Sequence, residues 1–532
     1  MQALLLHPDR DFDWKRPDPP GTGDLVRDLG LSTLVEAMAK GDERLREAAR
    51  GVLLAGTADL ATIRHRQDVV RDCLAHPDLV RDLYALTIDA IETERKSAIG
   101  AFFRSPGMVL SRSIELMGEL VAHLRRLRIV AEEQGPSFRS QGFGVLFSTV
   151  RRELGERYLA EVNRSLGSLK FPGGMLMSAR LGSGNAGRDY TLRRADLRRD
   201  RLLHLLGRGP EGYDFTLAPR DESGARALSE LRDRGVEVAS GAVARSVEHV
   251  VDFFKMLRAE LAFCVGALNL HEALAASGCP TCLPDPRPPG NRSMSARNLC
   301  DASLALSLGH GIVGNALAAD GKDLLVVTGA NRGGKSTFLR SLGQAAVMMR
   351  CGLFVAADAF AAEVPERVFT HHRREEDASL RSGKFDEELA RMSGIADALV
   401  PNSLVLFNES FSATNEREGS EVARQIVSAL LARGVRIVFV THQYTFARGF
   451  HERGSRATLF LRAGRDVDGG RNFAITEADP LPTSYGPDLF ARIFDEAGPI
   501  AGKGLPSDHG PSHGHVHAGG RTIQGEPSRP SS

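Results

Sequence analysis

Cysteine is scarce in this sequence: there are six among 532 residues, at irregular spacing. Such usage makes a poor disulfide framework and favours a reducing compartment. A signal peptide is not predicted, because the first fourteen residues contain a run of only three leucines, closely followed by three aspartates. A composition of 42% hydrophobic and 25% charged residues excludes membrane-spanning, collagenous and fully disordered classes. We therefore predict a cytoplasmic protein with no membrane partner.

An excess of charge of one sign is also missing, since 68 basic residues oppose 67 acidic ones. Bulk charge therefore indicates neither a nucleic-acid partner nor an acidic substrate. Residues 101–200 differ from this average, because they hold 17 basic and 10 acidic residues, a net charge of +7. Arginine pairs occur at Arg125-Arg126, Arg151-Arg152, Arg193-Arg194 and Arg198-Arg199. Two interpretations are open: contact with DNA phosphates, or a solvated arginine-rich helix face.

Hydrophobic periodicity divides the chain into a helical part and an α/β part. Apolar residues three and four apart dominate from Asp24 to about Leu270, and the clearest stripe, residues 243–268, predicts a helix about 40 Å long. That helix is either a lever or a buried bundle helix. After a proline-rich stretch, strands alternate with helices, which favours a mainly parallel sheet. Strands are predicted at Leu324–Thr328, Leu353–Ala356, Leu404–Asn408, Arg436–Thr441 and Thr458–Arg462.

A glycine-rich loop between a strand and a helix at 329–336, with polar residues that end two later strands, indicates a P-loop ATPase. The predicted fold class is therefore α + α/β, with a mostly helical core and lever followed by an ABC-type P-loop ATPase domain. The segments are an N-terminal extension (1–23), the helical core and lever (24–277, with an insertion at about 166–222), a proline-rich linker (278–300), the ATPase domain (301–498) and a disordered tail (499–532). Residues 182–187 match the dinucleotide-binding pattern formally, but no strand or βαβ unit is predicted around them, so we reject that interpretation.

The strongest motif is the P-loop sequence from Gly329 to Ser336, which follows an apolar strand and precedes a helical stretch. Its glycines allow backbone N–H groups to surround phosphates, and the helix N-terminus adds a positive dipole. Lys335 is predicted to hold the β- and γ-phosphates of ATP and Ser336 to bind Mg²⁺. The predicted nucleotide-binding residues are Gly329, Ala330, Asn331, Arg332, Gly333, Gly334, Lys335, Ser336 and Thr337.

Two further strands end in polar residues typical of an ATPase. Asn408-Glu409 follows one strand, where an acidic pair ordinarily holds Mg²⁺ through water and activates the attacking water. Glu409 is the predicted general base, whereas Asn408 is neutral, so we expect weakened Mg²⁺ affinity. His442 ends the other strand and is predicted to contact the γ-phosphate. The predicted catalytic residues are Glu409, His442 and Lys335.

These motifs, in this order, resemble the ATPase domain of the MutS family. The resemblance covers Asn315 to about Phe494 and extends more weakly to 28–31, 64–67 and the long helix, which resembles the family's lever. It implies a dimer in which each nucleotide lies between the P-loop of one subunit and a serine- and glycine-containing loop of the other. The matching residues are Ser382, Gly383 and Lys384, with Lys384 at a position where the family more often has a hydroxyl residue.

MutS mismatch sensors begin with a mismatch-binding domain that carries a Phe-x-Glu wedge, followed by a connector domain. This sequence begins at the helical core, and its Phe-x-Glu sequences, at 385–387 and 494–496, lie in or after the ATPase part. The resemblance therefore implies an Mg²⁺-dependent ATPase and dimeric DNA clamp in mismatch repair or related DNA maintenance, without its own mismatch-reading wedge and with repair-protein partners. The alternative is a nucleotide-switched scaffold that acts on protein partners without binding DNA.

Overall fold

The computed structural model describes residues 1–98, 105–172, 174–193, 213, 215–374, 383–465 and 471–481. All of them belong to one folded unit, Met1–Ser484. The predicted tail (499–532), Ser382 and the arginines of 194–199 lie outside the described residues.

Helices dominate residues 22–169, as their periodicity predicts, whereas residues 1–21 form no helix. Aspartate and serine side chains accept hydrogen bonds from the first turns at Asp42, Asp59, Ser105 and Ser140, and so fix where four of these helices begin. The helices are α1 (Thr22–Asp28), α2 (Leu31–Ala39), α3 (Glu43–Leu54), α4 (Leu60–Ala75), α5 (Pro77–Ala98), α6 (Pro106–Glu133), α7 (Gln141–Glu153) and α8 (Glu156–Leu169).

A hairpin of two antiparallel strands, β1 (Leu176–Leu181) and β2 (Gly187–Arg193), precedes the longest helix. The glycine-rich pattern at 182–187 is the connection of this hairpin. Helix α9 (Glu222–Ala276) has 55 residues and is therefore about 80 Å long. It is twice the predicted length because residues 222–234 are almost all exposed and lack the apolar stripe on which the prediction depends.

The remaining described residues form an α/β region. Its strands are β3 (Asp285–Arg287), β4 (Met294–Leu299), β5 (Asn315–Ala318), β6 (Leu324–Thr328), β7 (Ala359–Glu363), β8 (Val368–His372), β9 (Leu404–Asn408), β10 (Arg436–Val440), β11 (Thr458–Arg465) and β12 (Arg471–Glu477). Its helices are α10 (Ala302–Leu308), α11 (Lys335–Arg350), α12 (Lys384–Ala398), α13 (Glu416–Ala432) and α14 (Tyr444–His451).

These strands form two sheets within the described residues. The larger has the order β12-β11-β6-β10-β9-β8, and every neighbouring pair in it is parallel except β11 and β12. The smaller has the order β3-β7-β4-β5. The carboxyl ends of β6, β9 and β10 meet at one edge of the larger sheet, which is where parallel α/β sheets bind ligands.

Four of the five predicted strands are present, with ends that differ by at most three residues. The prediction at Leu353–Ala356 is wrong. This segment is buried but forms only a bridge, in which the N–H of Val355 donates to the carbonyl of Cys282 (2.8 Å). The sequence of this segment is apolar because the segment is buried, although it does not form a strand. The strands β7, β8 and β12 were missed because alanine, histidine and charged residues interrupt their apolar pattern.

The proline-rich stretch predicted as a linker contributes two strands to the smaller sheet, since β3 and β4 both pair with β7. Pro286 is accommodated because β3 is the edge strand of that sheet. One apolar cluster also joins the two regions: it contains Phe263 of α9 together with Phe338 of α11 and Leu406 of β9. The helical and α/β regions therefore share a core.

None of the described helices is long and apolar enough to cross a membrane.

Candidate active site

The loop from Gly329 to Gly334 joins β6 to α11. Gly329 and Gly334 have φ values of 113° and 91°, in the left-handed region that favours glycine. A Cβ atom on Gly333 would lie 2.9 Å from the Cβ of Ala463, so this position has no room for a side chain. The glycine spacing of the motif is thus explained by backbone conformation and by the closeness of β11.

Lys335 is the first residue of α11 and is buried. Its Nζ donates hydrogen bonds to the carbonyls of Gly329 (2.9 Å) and Ala330 (3.0 Å), so the ammonium group lies inside the loop. Burial lowers the pKa of Lys335, and the carboxylate of Glu409 counteracts that shift. A negatively charged ligand at this point would replace the two carbonyls as hydrogen-bond acceptors of the Lys335 ammonium group.

Ser336 contacts the carboxyl end of β9. Its hydroxyl donates a hydrogen bond to the side-chain oxygen of Asn408 over 2.9 Å. A hydroxyl and an amide oxygen are ligands of the class that Mg²⁺ accepts, although neither carries a formal charge. The residues at this point fit a hydrated magnesium ion that obtains its anionic ligands from a phosphate.

Glu409 follows β9 directly and has a φ of 52°, which is unusual for a residue with a side chain. Its N–H donates to the carbonyl of Val440 (2.9 Å), which ties it to β10. Its Oε2 lies 3.7 Å from Nδ1 of His442. The nearby His442 lowers the pKa of Glu409, with Lys335 contributing in the same direction, while burial opposes the shift. The carboxylate is therefore ionised at neutral pH.

Lys335, Ser336 and Glu409 line a pocket of about 470 Å³, whereas Asn408 and His442 lie next to Ser336 and Glu409 outside its lining. The polar wall consists of Arg332–Thr337 and Glu409. The apolar wall consists largely of apolar residues, which are Leu304, Leu308, His310, Ile312, Val313 and Phe473. A pocket with one polar and one apolar wall suits a ligand that has a charged end and a flat, weakly polar end.

Sequence reasoning missed the apolar wall, because its residues come from α10, the segment before β5 and β12, and belong to no motif. Phe473 lines the pocket with a φ of 57°, and Asn315 hydrogen-bonds the backbone at this point of β12. The Nδ2 of Asn315 donates to the carbonyl of Phe473 (3.5 Å), and its Oδ1 accepts from the N–H of Ile475 (2.7 Å). Only the polar half of the pocket has a signature in the sequence.

The structure brings Lys335, Ser336, Asn408, Glu409 and His442 together at one edge of the larger sheet. Gly383 and Lys384 do not line the pocket, since they form the N-cap and the first residue of α12. Their predicted contact with a partner's nucleotide stays a prediction.

Two sequence models match the chain. Residues 58–277 match the MutS2 N-terminal domain and residues 325–466 match MutS domain V, so together the two models account for more than half of the chain. The chain belongs to the MutS family. The second match contains the loop at Gly329, all three catalytic candidates and most of the larger sheet.

Characterised members of the MutS family are similar to parts of the chain. Endonuclease MutS2 of Thermus thermophilus is 36% identical over 131 residues, which are 24% of this chain and 18% of that protein. The DNA mismatch repair protein MutS of Chloroflexus aurantiacus is 26% identical over 270 residues, or 47% of this chain and 28% of that protein. The DNA mismatch repair protein MutS 2 of Halobacterium salinarum is 28% identical over 171 residues, or 32% and 20%. The chain thus spans less than a third of the length of these relatives.

Proposed function

We propose that this MutS-family chain binds ATP with Mg²⁺ and hydrolyses it to ADP and phosphate. The observation that carries the proposal is a pocket lined by Lys335, Ser336, Glu409 and an apolar wall, in which Asn408 contacts Ser336 and His442 lies beside Glu409. An ammonium group, oxygen ligands and an ionised carboxylate are the groups that phosphoryl transfer to water requires.

Each group has a distinct role in this proposal. The N–H groups of the loop and the Nζ of Lys335 hold the β- and γ-phosphates. Ser336, with Asn408 behind it, holds Mg²⁺, which neutralises charge that develops on the phosphates. The apolar wall, which includes Phe473, binds the adenine base of ATP.

Glu409 acts as the general base that takes a proton from the attacking water. Its lowered pKa keeps it ionised and ready to accept that proton. His442, at 3.7 Å, orients the carboxylate and faces the position of the γ-phosphate. Loss of that phosphate changes the surroundings of both side chains, which is how hydrolysis is transmitted to β9 and β10.

We further propose that the chain acts on DNA as a dimer in mismatch repair or related DNA maintenance, with Ser382, Gly383 and Lys384 contacting the partner's nucleotide. The proposal rests on the names of its relatives, an endonuclease and mismatch repair proteins, and on the basic helical region. Helix α9 supports a mechanical role, because it shares a core with α11, whose first turn holds the phosphate-binding lysine.

The ATP proposal is tested by Lys335→Ala, with Lys322→Ala as the matched control. Lys322 precedes β6 at its other end and donates to the carbonyl of Arg456 (2.7 Å), far from the pocket lining. Binding of a fluorescent ATP analogue and phosphate release are measured for both. We expect Lys335→Ala to lose binding or turnover and the control to retain them; unchanged hydrolysis in Lys335→Ala would refute the assignment.

The alternative, a nucleotide-switched scaffold for protein partners, is favoured by one observation. Arginines of the basic region are paired on the surface: Arg125 and Arg128 with Glu156 (3.4 and 2.8 Å) and Arg126 with Asp89 (3.4 Å). Paired arginines offer less positive charge to phosphates. Titration with duplex DNA at several salt concentrations, with and without ATP, separates the two functions, because a DNA clamp requires salt-dependent binding and the scaffold does not.

A further inference from the structure

The polar loop that follows β9 has an unusual backbone. Glu409 and Phe411 both have left-handed φ values, 52° and 60°, and Ser410 lies between them, fully buried. Residues with side chains keep such conformations only where the surrounding structure enforces them. The position of the Glu409 carboxylate therefore depends on whatever holds Ser410.

The residue that holds Ser410 is His371 on β8. Its Nδ1 lies 2.8 Å from Oγ of Ser410, and that hydroxyl also lies within hydrogen-bonding distance of the His371 carbonyl. The ring stacks on Phe411, with centroids 5.2 Å apart and planes at 18°. His371 thus contacts both residues that follow Glu409, and it is fully buried.

The other ring nitrogen reaches α12. Nε2 lies 3.0 Å from the backbone carbonyl of Glu388, which accepts and cannot donate. Nε2 must therefore carry a proton, and burial, which lowers the pKa of His371 to about 4, keeps the ring neutral. Nδ1 is then unprotonated and can only accept, so the single hydroxyl proton of Ser410 is shared between Nδ1 and the His371 carbonyl.

The Glu388 carboxyl group is buried beside this loop, and neither of its oxygens has a hydrogen-bond partner among the described residues. Burial raises the pKa of this carboxyl group, and the positive charge of Arg391 is the largest effect that opposes the rise. On the opposite side, Nε2 of Gln443 donates to the carbonyl of Phe411 (3.1 Å). The loop is held between α12 on one side and the strand end of His442 on the other.

We propose that His371 is a positioning residue that fixes Glu409 through Ser410 and ties its position to α12. This inference rests on the proposed ATPase function and deepens it. Helix α12 begins at Lys384, one of the residues proposed to contact the nucleotide of a partner subunit. A displacement of α12 on dimer formation would then be transmitted through one imidazole ring to the general base, so that each site hydrolyses ATP when a partner is docked.

Three substitutions separate the two hydrogen bonds of the ring. His371→Phe keeps a stacked ring and removes both bonds. His371→Asn keeps an acceptor near the position of Nδ1, and His371→Gln keeps a donor near the position of Nε2. His123→Phe is the matched control, since His123 is a half-buried histidine whose ring contacts Phe254 in the helical region.

We expect His371→Phe to bind ATP with a Kd within about twofold of the original chain while kcat falls about 10- to 100-fold, the range of a misplaced catalytic group. His371→Asn should restore more of kcat than His371→Gln, because the bond to Ser410 acts directly on the loop. Unchanged kcat in His371→Phe, a loss matched by His123→Phe at equal Tm, or better rescue by His371→Gln would each overturn the proposal.

A second readout does not depend on catalysis. Amide hydrogen exchange of residues 409–413, measured without nucleotide, should be faster in His371→Phe than in the original chain and unaltered in His123→Phe. Equal protection in all three proteins would overturn the positioning role. A chain that fails to hydrolyse ATP but shows this difference would refute the proposed function and leave the role of His371 supported.

Discussion

The hydroxyl of Ser336 donates a hydrogen bond to the side-chain oxygen of Asn408, 2.9 Å away. This contact joins the first turn of α11 to the end of β9, where a metal-dependent ATPase ordinarily places a carboxylate. The amide preserves the hydrogen bond and leaves out one negative charge. A Mg²⁺ ion in this site would therefore be held mainly by the phosphates of a nucleotide and by water.

Asn408→Asp should lower the Mg²⁺ concentration for half-maximal hydrolysis by about tenfold, because a carboxylate adds a charged oxygen ligand. Turnover at saturating Mg²⁺ should stay the same or rise. The measurement is phosphate release as a function of Mg²⁺ concentration, with the exposed Asn291→Asp as the control for added charge. A large loss of turnover would show that the amide itself has a role.

Glu409→Gln should retain ATP binding and reduce turnover about 100-fold or more, as expected on removal of a general base. Glutamine has almost the same shape, so a loss of turnover reports the missing proton acceptor. Single-turnover hydrolysis and ATP trapping on a filter are the measurements. Glu421→Gln, at an exposed glutamate that pairs with Arg424, is the control and should behave like the original chain. Turnover in Glu409→Gln equal to that of the original chain would show that another residue is the general base.

The polar half of the site was predictable because its chemistry depends on residue types at fixed spacing after apolar strands. Asn408, Glu409 and His442 lie at predicted strand ends, and Lys335 and Ser336 begin the helix predicted after the P-loop. Parallel strands align their carboxyl ends, so sequence order alone places these residues at one edge.

The apolar half and the support behind Glu409 were not predictable in the same way. Phe473 and His371 are brought to the site by β12 and β8, two strands whose mixed composition hides them. Their roles depend on contacts between residues far apart in sequence, such as His371 with Ser410. A pattern of local periodicity contains no information on such contacts.

Phe473→Ala should weaken ATP binding by about tenfold, because stacking of a base on an aromatic ring contributes about 1–3 kcal/mol. Turnover at saturating ATP should change little, since Phe473 has no group that transfers a proton or holds a phosphate. Equilibrium binding of ATP and of inorganic triphosphate is measured for both proteins. The loss of affinity should be confined to ATP. An equal loss of affinity for triphosphate would show that the adenine base does not contact Phe473.

The N-terminal residues are held to the long helix by one buried carboxylate. Glu260, in the middle of α9, accepts hydrogen bonds from the N–H groups of Leu5 (2.7 Å) and Phe12 (3.0 Å). Burial raises the pKa of Glu260 from 4.5 to about 7, and these backbone hydrogen bonds oppose the rise. The carboxyl group therefore takes up a proton in the folded chain at a pH where the unfolded chain is ionised.

This shift has a definite sign for stability. Below about pH 4.5 both states are protonated, and the contribution of Glu260 is at its most favourable. As the pH rises from 4.5 to about 7, only the unfolded state ionises, so the free energy of unfolding falls; above 7 it stays constant. The full change corresponds to about 3 kcal/mol.

Glu260→Gln should abolish this pH dependence, and its destabilisation should be larger at pH 5 than at pH 8. At pH 5 the free energy of unfolding of the variant is lower by about 1–3 kcal/mol, because its amide N–H₂ faces a backbone N–H and cannot accept a hydrogen bond from it. At pH 8 the buried charge of Glu260 destabilises the original chain as well, so the difference in free energy of unfolding between the two proteins becomes smaller. Urea unfolding of both proteins from pH 5 to pH 8 measures that difference, in which the titration of all other groups cancels. Glu272→Gln, at an exposed glutamate of the same helix that pairs with Lys40, should give no such narrowing. A difference between Glu260→Gln and the original chain that is constant with pH would show that Glu260 is ionised throughout.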